Sequence, residues 1–151
     1  MELNFLKMKK GVLYLFLLSI NFLIGQEISP KKTIEDFFVA FHKKDTIVLR
    51  TISHKEIVLQ TIAKTKEGNN KVLTENYTNF LKSIIAIPVE MKFEEKLLDY
   101  TVQIDGLLAH VWTPYEFYIN DKLSHKGVNS FTLVKEADTW KIVHIIDTRH
   151  K

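Results

Sequence analysis

The sequence predicts an α+β domain with its helices gathered on one face of an antiparallel sheet. Three observations lead there. Apolar residues recur at helical spacing in two stretches of the first half, while the second half alternates with a period of two. That alternating half is cut by turn signals at Asp105-Gly106, Asn120-Asp121-Lys122 and Glu136-Ala137-Asp138. Helices segregated from a meander bury their apolar stripes against one side of the sheet.

Taken in order, Ser29 suits an N-cap and Pro30 the first helical position, because that position has no N–H to lose. Ile34, Phe37, Phe38 and Phe41 follow at helical spacing, an aromatic stripe that must lie on something. Asp45 opens a second, short helix over 47–51. From His54 the period changes to two. Ile57, Leu59, Thr61 and Ala63 alternate with Val58, Gln60 and Ile62, which reads as a strand. A turn-rich break at 66–70 follows, and Thr74 is read as the cap of a third helix. That helix carries Tyr77, Phe80, Leu81, Ile84 and Ile85 on its apolar side and stops before Pro88. Four strands are then expected, over 93–104, 107–119, 127–135 and 140–147, ending in a basic tail Arg149-His150-Lys151.

The chain of 151 residues, 46% hydrophobic and 26% charged, suits one domain with a core of its own. Its net charge of +3 divides unevenly. Lys7, Lys9 and Lys10 against Glu2 place +2 of it in residues 1–25, leaving +1 on the rest, with both signs mixed. That balance gives no electrostatic case for a nucleic-acid partner. Residues 1–25 read as a secretory signal, with a basic start and an apolar run over 11–24 too short and too polar at Ser19 and Asn21 for a membrane span. A retained anchor or a buried N-terminal helix are the other readings. The signal reading implies an exported periplasmic or secreted domain over 26–151, off the membrane once the signal is cleaved. The absence of cysteine excludes disulfides, thiolate metal sites, a lipid-modified cysteine and cysteine nucleophiles.

The element order, with the phrases Ser53-His54-Lys55-Glu56-Ile57-Val58-Leu59 and Asp138-Thr139-Trp140-Lys141-Ile142, resembles the nuclear transport factor 2-like superfamily over about residues 30–148. It looks closest to the small secreted bacterial members of the lumazine-binding or polyketide-cyclase-like group. The resemblance implies a cone-shaped, strongly curved antiparallel sheet with three helices from the N-terminal half packed on its concave face. It also implies a homodimer formed through the outer face of the sheet. The superfamily hosts enzymes, binding modules and transport factors, so the fold does not choose among them. Its ketosteroid-isomerase-like members place a carboxylate base at the far end of the first strand, where this chain has Leu59-Gln60-Thr61. Their oxyanion-donating tyrosine lies on the first helix, where this chain has Phe37, Phe38 and Phe41. Abstraction of a proton beside a carbonyl needs both a base and an oxyanion donor. Those positions supply neither.

Among residues with chemistry of their own, His54, His110, His125 and His144 lie in or near strands, but none shows a tight metal-ligand spacing. No metal or cofactor site is read. His54 and His144 are the weak candidates for a general base, against the plainer reading of hydrogen-bonded structural histidines. In Ala109–Tyr118, Pro114 implies a bulge or an edge. A bulge there would bring Trp112 and Tyr115 onto one face to line a pocket; the alternative is a core or dimer face. Phe131 shares parity with Asn129 and His125, which point into a cavity if that face is concave. Ile142, His144 and Ile146 share parity with Trp140, so His144 is a pocket or network residue. Asp147 and Arg149 read either as a polar rim or as a solvated strand end. The expected ligand-binding set is Phe38, Trp112, Tyr115, His125, Asn129, Phe131 and His144, around a small apolar or aromatic molecule. A small lyase, isomerase or hydrolase using a pocket histidine, and an interaction domain acting through the outer sheet face, are the alternatives.

Overall fold

The computed structural model describes residues 29–151, so the signal reading on 1–25 lies outside the described residues. Helix α1 (Pro30–His42) begins as its sequence demands: the Ser29 side chain accepts from the Lys32 N–H at 3.1 Å, with Pro30 in the first turn. Asp45 caps α2 (Thr46–Ile52) by accepting from the N–H groups of Ile47 and Val48. Strand β1 (Ser53–Lys64) follows directly.

The next element departs from expectation. Residues Asn70–Glu75 form β2, an antiparallel edge strand on β1 with every residue exposed, and Asn76 rather than Thr74 caps α3 (Tyr77–Ile85). A strand exposed on both faces has no apolar alternation to betray it. The expected strand over 93–104 is also two: β3 (Phe93–Leu97) and β4 (Thr101–Asp105) both pair with β5 (Leu108–Ile119). Pro114 of β5 sits opposite the break between them, where its carbonyl accepts the Leu98 N–H at 2.9 Å. Its missing N–H falls where no ladder partner stands, so proline sits inside β5 without a bulge.

Strands β6 (Lys122–Glu136) and β7 (Thr139–His150) complete a seven-stranded sheet in the order β2-β1-β7-β6-β5-β3, with β4 also on β5. All pairs are antiparallel except β1 with β7, which is parallel. The expected α+β cone, a curved and open sheet with three helices, is therefore what forms. Its core joins Ile34, Phe37 and Phe38 of α1 and Leu81 and Ile84 of α3 to the inward residues Val111, Phe131, Leu133 and Ile142. The aromatic stripe of α1 lies on Phe131, whose ring meets those of Phe37 and Phe38 edge to face at 6.0 Å each.

One irregularity in β7 decides what the sheet presents inward. Thr132 pairs with His144 but Leu133 with Ile142, leaving Val143 as an extra residue in the ladder. Before this bulge Trp140 and Ile142 are buried; after it the inward positions pass to Ile145, Asp147 and Arg149. Opposite Arg149 stands Gly127, where an added Cβ would lie 1.8 Å from the Thr148 carbonyl oxygen. The bare backbone at Gly127 lets β7 approach this closely.

Candidate functional site

Between α1, α3 and the concave face lies a cavity of about 360 Å³, within the range of small-molecule sites. Phe37, Phe38 and Phe41 from α1 form one wall, with Phe80 of α3, Phe117 of β5 and Phe131 of β6. Parity explains the sheet's share. On β5 the inward positions are Ala109, Val111, Thr113, Tyr115 and Phe117, and on β6 they are Gly127, Asn129, Phe131 and Leu133.

The other end of the cavity is polar and comes from five strands. Asp147 of β7 accepts from Thr61 Oγ1 of β1 at 2.5 Å and from Arg149 Nε at 2.8 Å. The Tyr115 hydroxyl lies 3.3 Å from Asp147 Oδ2 and 3.1 Å from the Thr148 carbonyl oxygen, a donation shared between the two. Burial and the neighbouring Asp147 push that hydroxyl far above the ordinary tyrosine range, so it stays a donor. Asp147 is thus held by one guanidinium and two hydroxyls.

Glu95 of β3 is different. Its side chain has one hydrogen-bond partner among the described residues, the Asn129 amide, which donates to Oε1 at 2.6 Å. Burial pushes its carboxyl up to about 7, Asp147 adding to the shift while Asn129 and Arg149 oppose it. Its backbone is pinned from the helix side, where His42 Nε2 accepts the Glu95 N–H at 2.9 Å. Burial holds the His42 imidazole below its usual range, which keeps that acceptor neutral. His125 lines the cavity stacked on Phe117 at 4.9 Å, and burial, with Arg149 nearby, depresses its basicity too.

Of the residues expected to meet a ligand, Phe38, Tyr115, His125, Asn129 and Phe131 line this cavity, whereas Trp112 and His144 do not. Trp112 is 45% exposed on the outer face, because β5 runs from Leu108 to Phe117 against β6 without a bulge at Pro114. His144 is turned outward by the extra residue Val143 and shares a hydrogen bond of 3.0 Å with Gln60 Oε1. His54 stands apart at the start of β1, where Nε2 faces Glu136 at 3.3 Å and Nδ1 accepts the Glu56 N–H. Neither histidine read as a general base thus reaches the cavity. Asp147 and Arg149, which the sequence left open as a polar rim or a solvated strand end, line the cavity, and Glu95 is the lining carboxyl that the sequence reading did not single out. Glu95 had a signal: it shares parity with Phe93 and Leu97, a carboxyl on an apolar face. Among the described residues no three His, Asp or Glu side chains gather as a metal site.

Solved structures of the nuclear transport factor 2-like fold are similar to this chain. One is such a protein of unknown function from Pseudomonas putida, 15% identical, with a TM-score of 0.65 over 81% of this chain and 84% of that one. A second, from Cytophaga hutchinsonii, is 13% identical at a TM-score of 0.63, over 84% of this chain and 100% of that one. A third, named as a candidate ketosteroid isomerase from Shewanella frigidimarina, is 14% identical at a TM-score of 0.55, over 76% and 90%. No protein-family model and no curated protein matches. At these identities the likeness establishes the fold, which is nuclear transport factor 2-like.

Proposed function

We propose that this domain binds a small molecule in the cavity, its apolar body against the phenylalanines and its polar end at Glu95 and Asn129. The observation that carries this reading is the partly buried Glu95 carboxyl. A carboxyl held in an apolar cavity with one neutral partner is costly to the fold, and a ligand that satisfies it repays the cost. The test is native mass spectrometry of the protein purified gently from its own host. A small molecule that is lost on denaturation, and absent from a Phe131→Trp variant that fills the cavity, supports the reading. Protein recovered empty, with no thermal shift across a metabolite panel, counts against it.

A second reading, proton transfer by Glu95, is favoured by a carboxyl titrating near neutrality, where a general acid–base works best. It replaces the pocket histidine of the sequence reading, and Glu95→Gln would abolish turnover while sparing binding of a neutral substrate. We also propose export, on residues 1–25, and pairing of two copies through the outer sheet face, where Leu108 and Trp112 are exposed. Light scattering on wild type and on a Leu108→Lys/Trp112→Lys variant tests the pairing; an unchanged mass contradicts it.

A further inference from the structure

The charges around the cavity select among small molecules. The lining carries three carboxyls, Glu75, Glu95 and Asp147, against the single guanidinium of Arg149. That guanidinium is already committed, with Nε on Asp147 and Nη2 3.4 Å from Thr61 Oγ1. His125, whose basicity burial depresses, adds no cation near neutrality. Among the described residues an anionic ligand would meet excess negative charge, with the one guanidinium already paired to Asp147.

Among the described residues Glu95 has no ion-pair partner of its own, while Arg149, paired with Asp147, acts on it at longer range. From β5 it faces Tyr115, from β6 Asn129 and His125, from β7 Asp147 and Arg149, and from α1 only the neutral His42 ring on its backbone. Among the described residues no lysine lines the cavity, and Arg149 serves Asp147. The remaining wall is built of phenylalanine rings, a ring type whose quadrupole favours a cation over its face and offers no donor to an anion. A half-buried carboxyl that shares its cavity with aromatic rings suits an organic ammonium, the carboxylate taking the charge and the rings taking its alkyl groups.

Building on the binding role above, we infer that the ligand is a small organic cation, an amine or quaternary ammonium attached to an apolar body, with Glu95 as its countercharge. Asn129 orients the carboxylate, and Asp147, neutralised in place by Arg149, keeps the polar end from accepting an anion.

The experiment compares three probes of similar size: phenethyltrimethylammonium, whose charge is fixed at every pH, the ketone benzylacetone, and the carboxylate hydrocinnamate. Binding of each to the purified protein is followed by amide chemical shifts from about pH 5.5 to about pH 8.5, the span over which Glu95 ionises. The cation is expected to bind best, to perturb residues lining the cavity, and to tighten by roughly ten-fold as pH rises, because only ionised Glu95 pairs with it. Glu95→Gln is expected to weaken the cation by roughly ten-fold and leave the ketone unchanged. If the ketone or the carboxylate binds more tightly than the cation, or if binding of the cation is flat with pH, the inference is overturned while the cavity remains a binding site. If none of the three perturbs the cavity, the binding role falls with it.

Discussion

The two halves of β7 are the same strand with opposite tasks. Up to the bulge, Trp140 and Ile142 fill the core under α1 and α2, and Ile142 is fully buried. Beyond it, Ile145, Asp147 and Arg149 face the cavity, and a carboxylate replaces the aliphatic side chain. One extra residue, Val143, exchanges which parity looks inward, because strand side chains alternate with a period of two. The lesson is that the core and the site share one ladder, and the bulge allots residues between them.

The largest effect is expected at Gly127. Gly127→Val places a branched side chain where even a Cβ would meet the Thr148 carbonyl, which is backbone and cannot rotate away. A loss of at least about 3 kcal/mol is expected from denaturant unfolding, with the Asp147 and Arg149 amides the most shifted. A change under about 1 kcal/mol would show that β7 does not approach β6 in this way. Truncating one isoleucine on each side of the bulge separates the two halves of β7. Ile142→Ala should cost about 3 kcal/mol, since it empties a filled core site. Ile145→Ala, beside a cavity that already exists, should cost about 1 kcal/mol. Equal losses would contradict the division.

Charge in the polar half predicts a pH dependence with a definite sign. Glu95 titrates higher folded than its ordinary 4.5, so between that value and about 7 the folded state holds more protons than the unfolded one. Its contribution is fully present at low pH and is lost as pH rises through 7. Ligand-free wild type should therefore lose about 2 kcal/mol relative to Glu95→Gln between about pH 5 and pH 8, read as the difference of two unfolding series. Parallel series would remove Glu95 from the cavity's interior. The smallest effect is expected at His144, outside the cavity beside Gln60. His144→Ala should change stability by less than about 0.5 kcal/mol and ligand binding not at all.

Much of this architecture is legible in the residues. The caps at Ser29 and Asp45, the α1 stripe and the parity of Asn129 with Phe131 all follow from spacing alone. Trp112 misleads because Pro114 implies a bulge, when a break in the neighbouring strand accommodates the missing N–H equally well. His144 misleads for the converse reason: the bulge at Val143 carries no proline or glycine to announce it. Strand β2 has no buried face to produce a pattern, and Arg149, taken for a basic tail, is a ladder residue opposite Gly127. The enzymatic expectation fails at Leu59-Gln60-Thr61 as read, yet acids reach the same cavity from β3 and β7, which only the curvature of the folded sheet brings together.

The most direct test of a cavity built around a half-buried carboxyl is a carbon-detected NMR titration of the Glu95 side chain in ligand-free protein. A midpoint near 7, moving down when a cation is bound, is the predicted result. A midpoint near the ordinary 4.5 would mean that Glu95 is solvated, and would contradict the account at its centre.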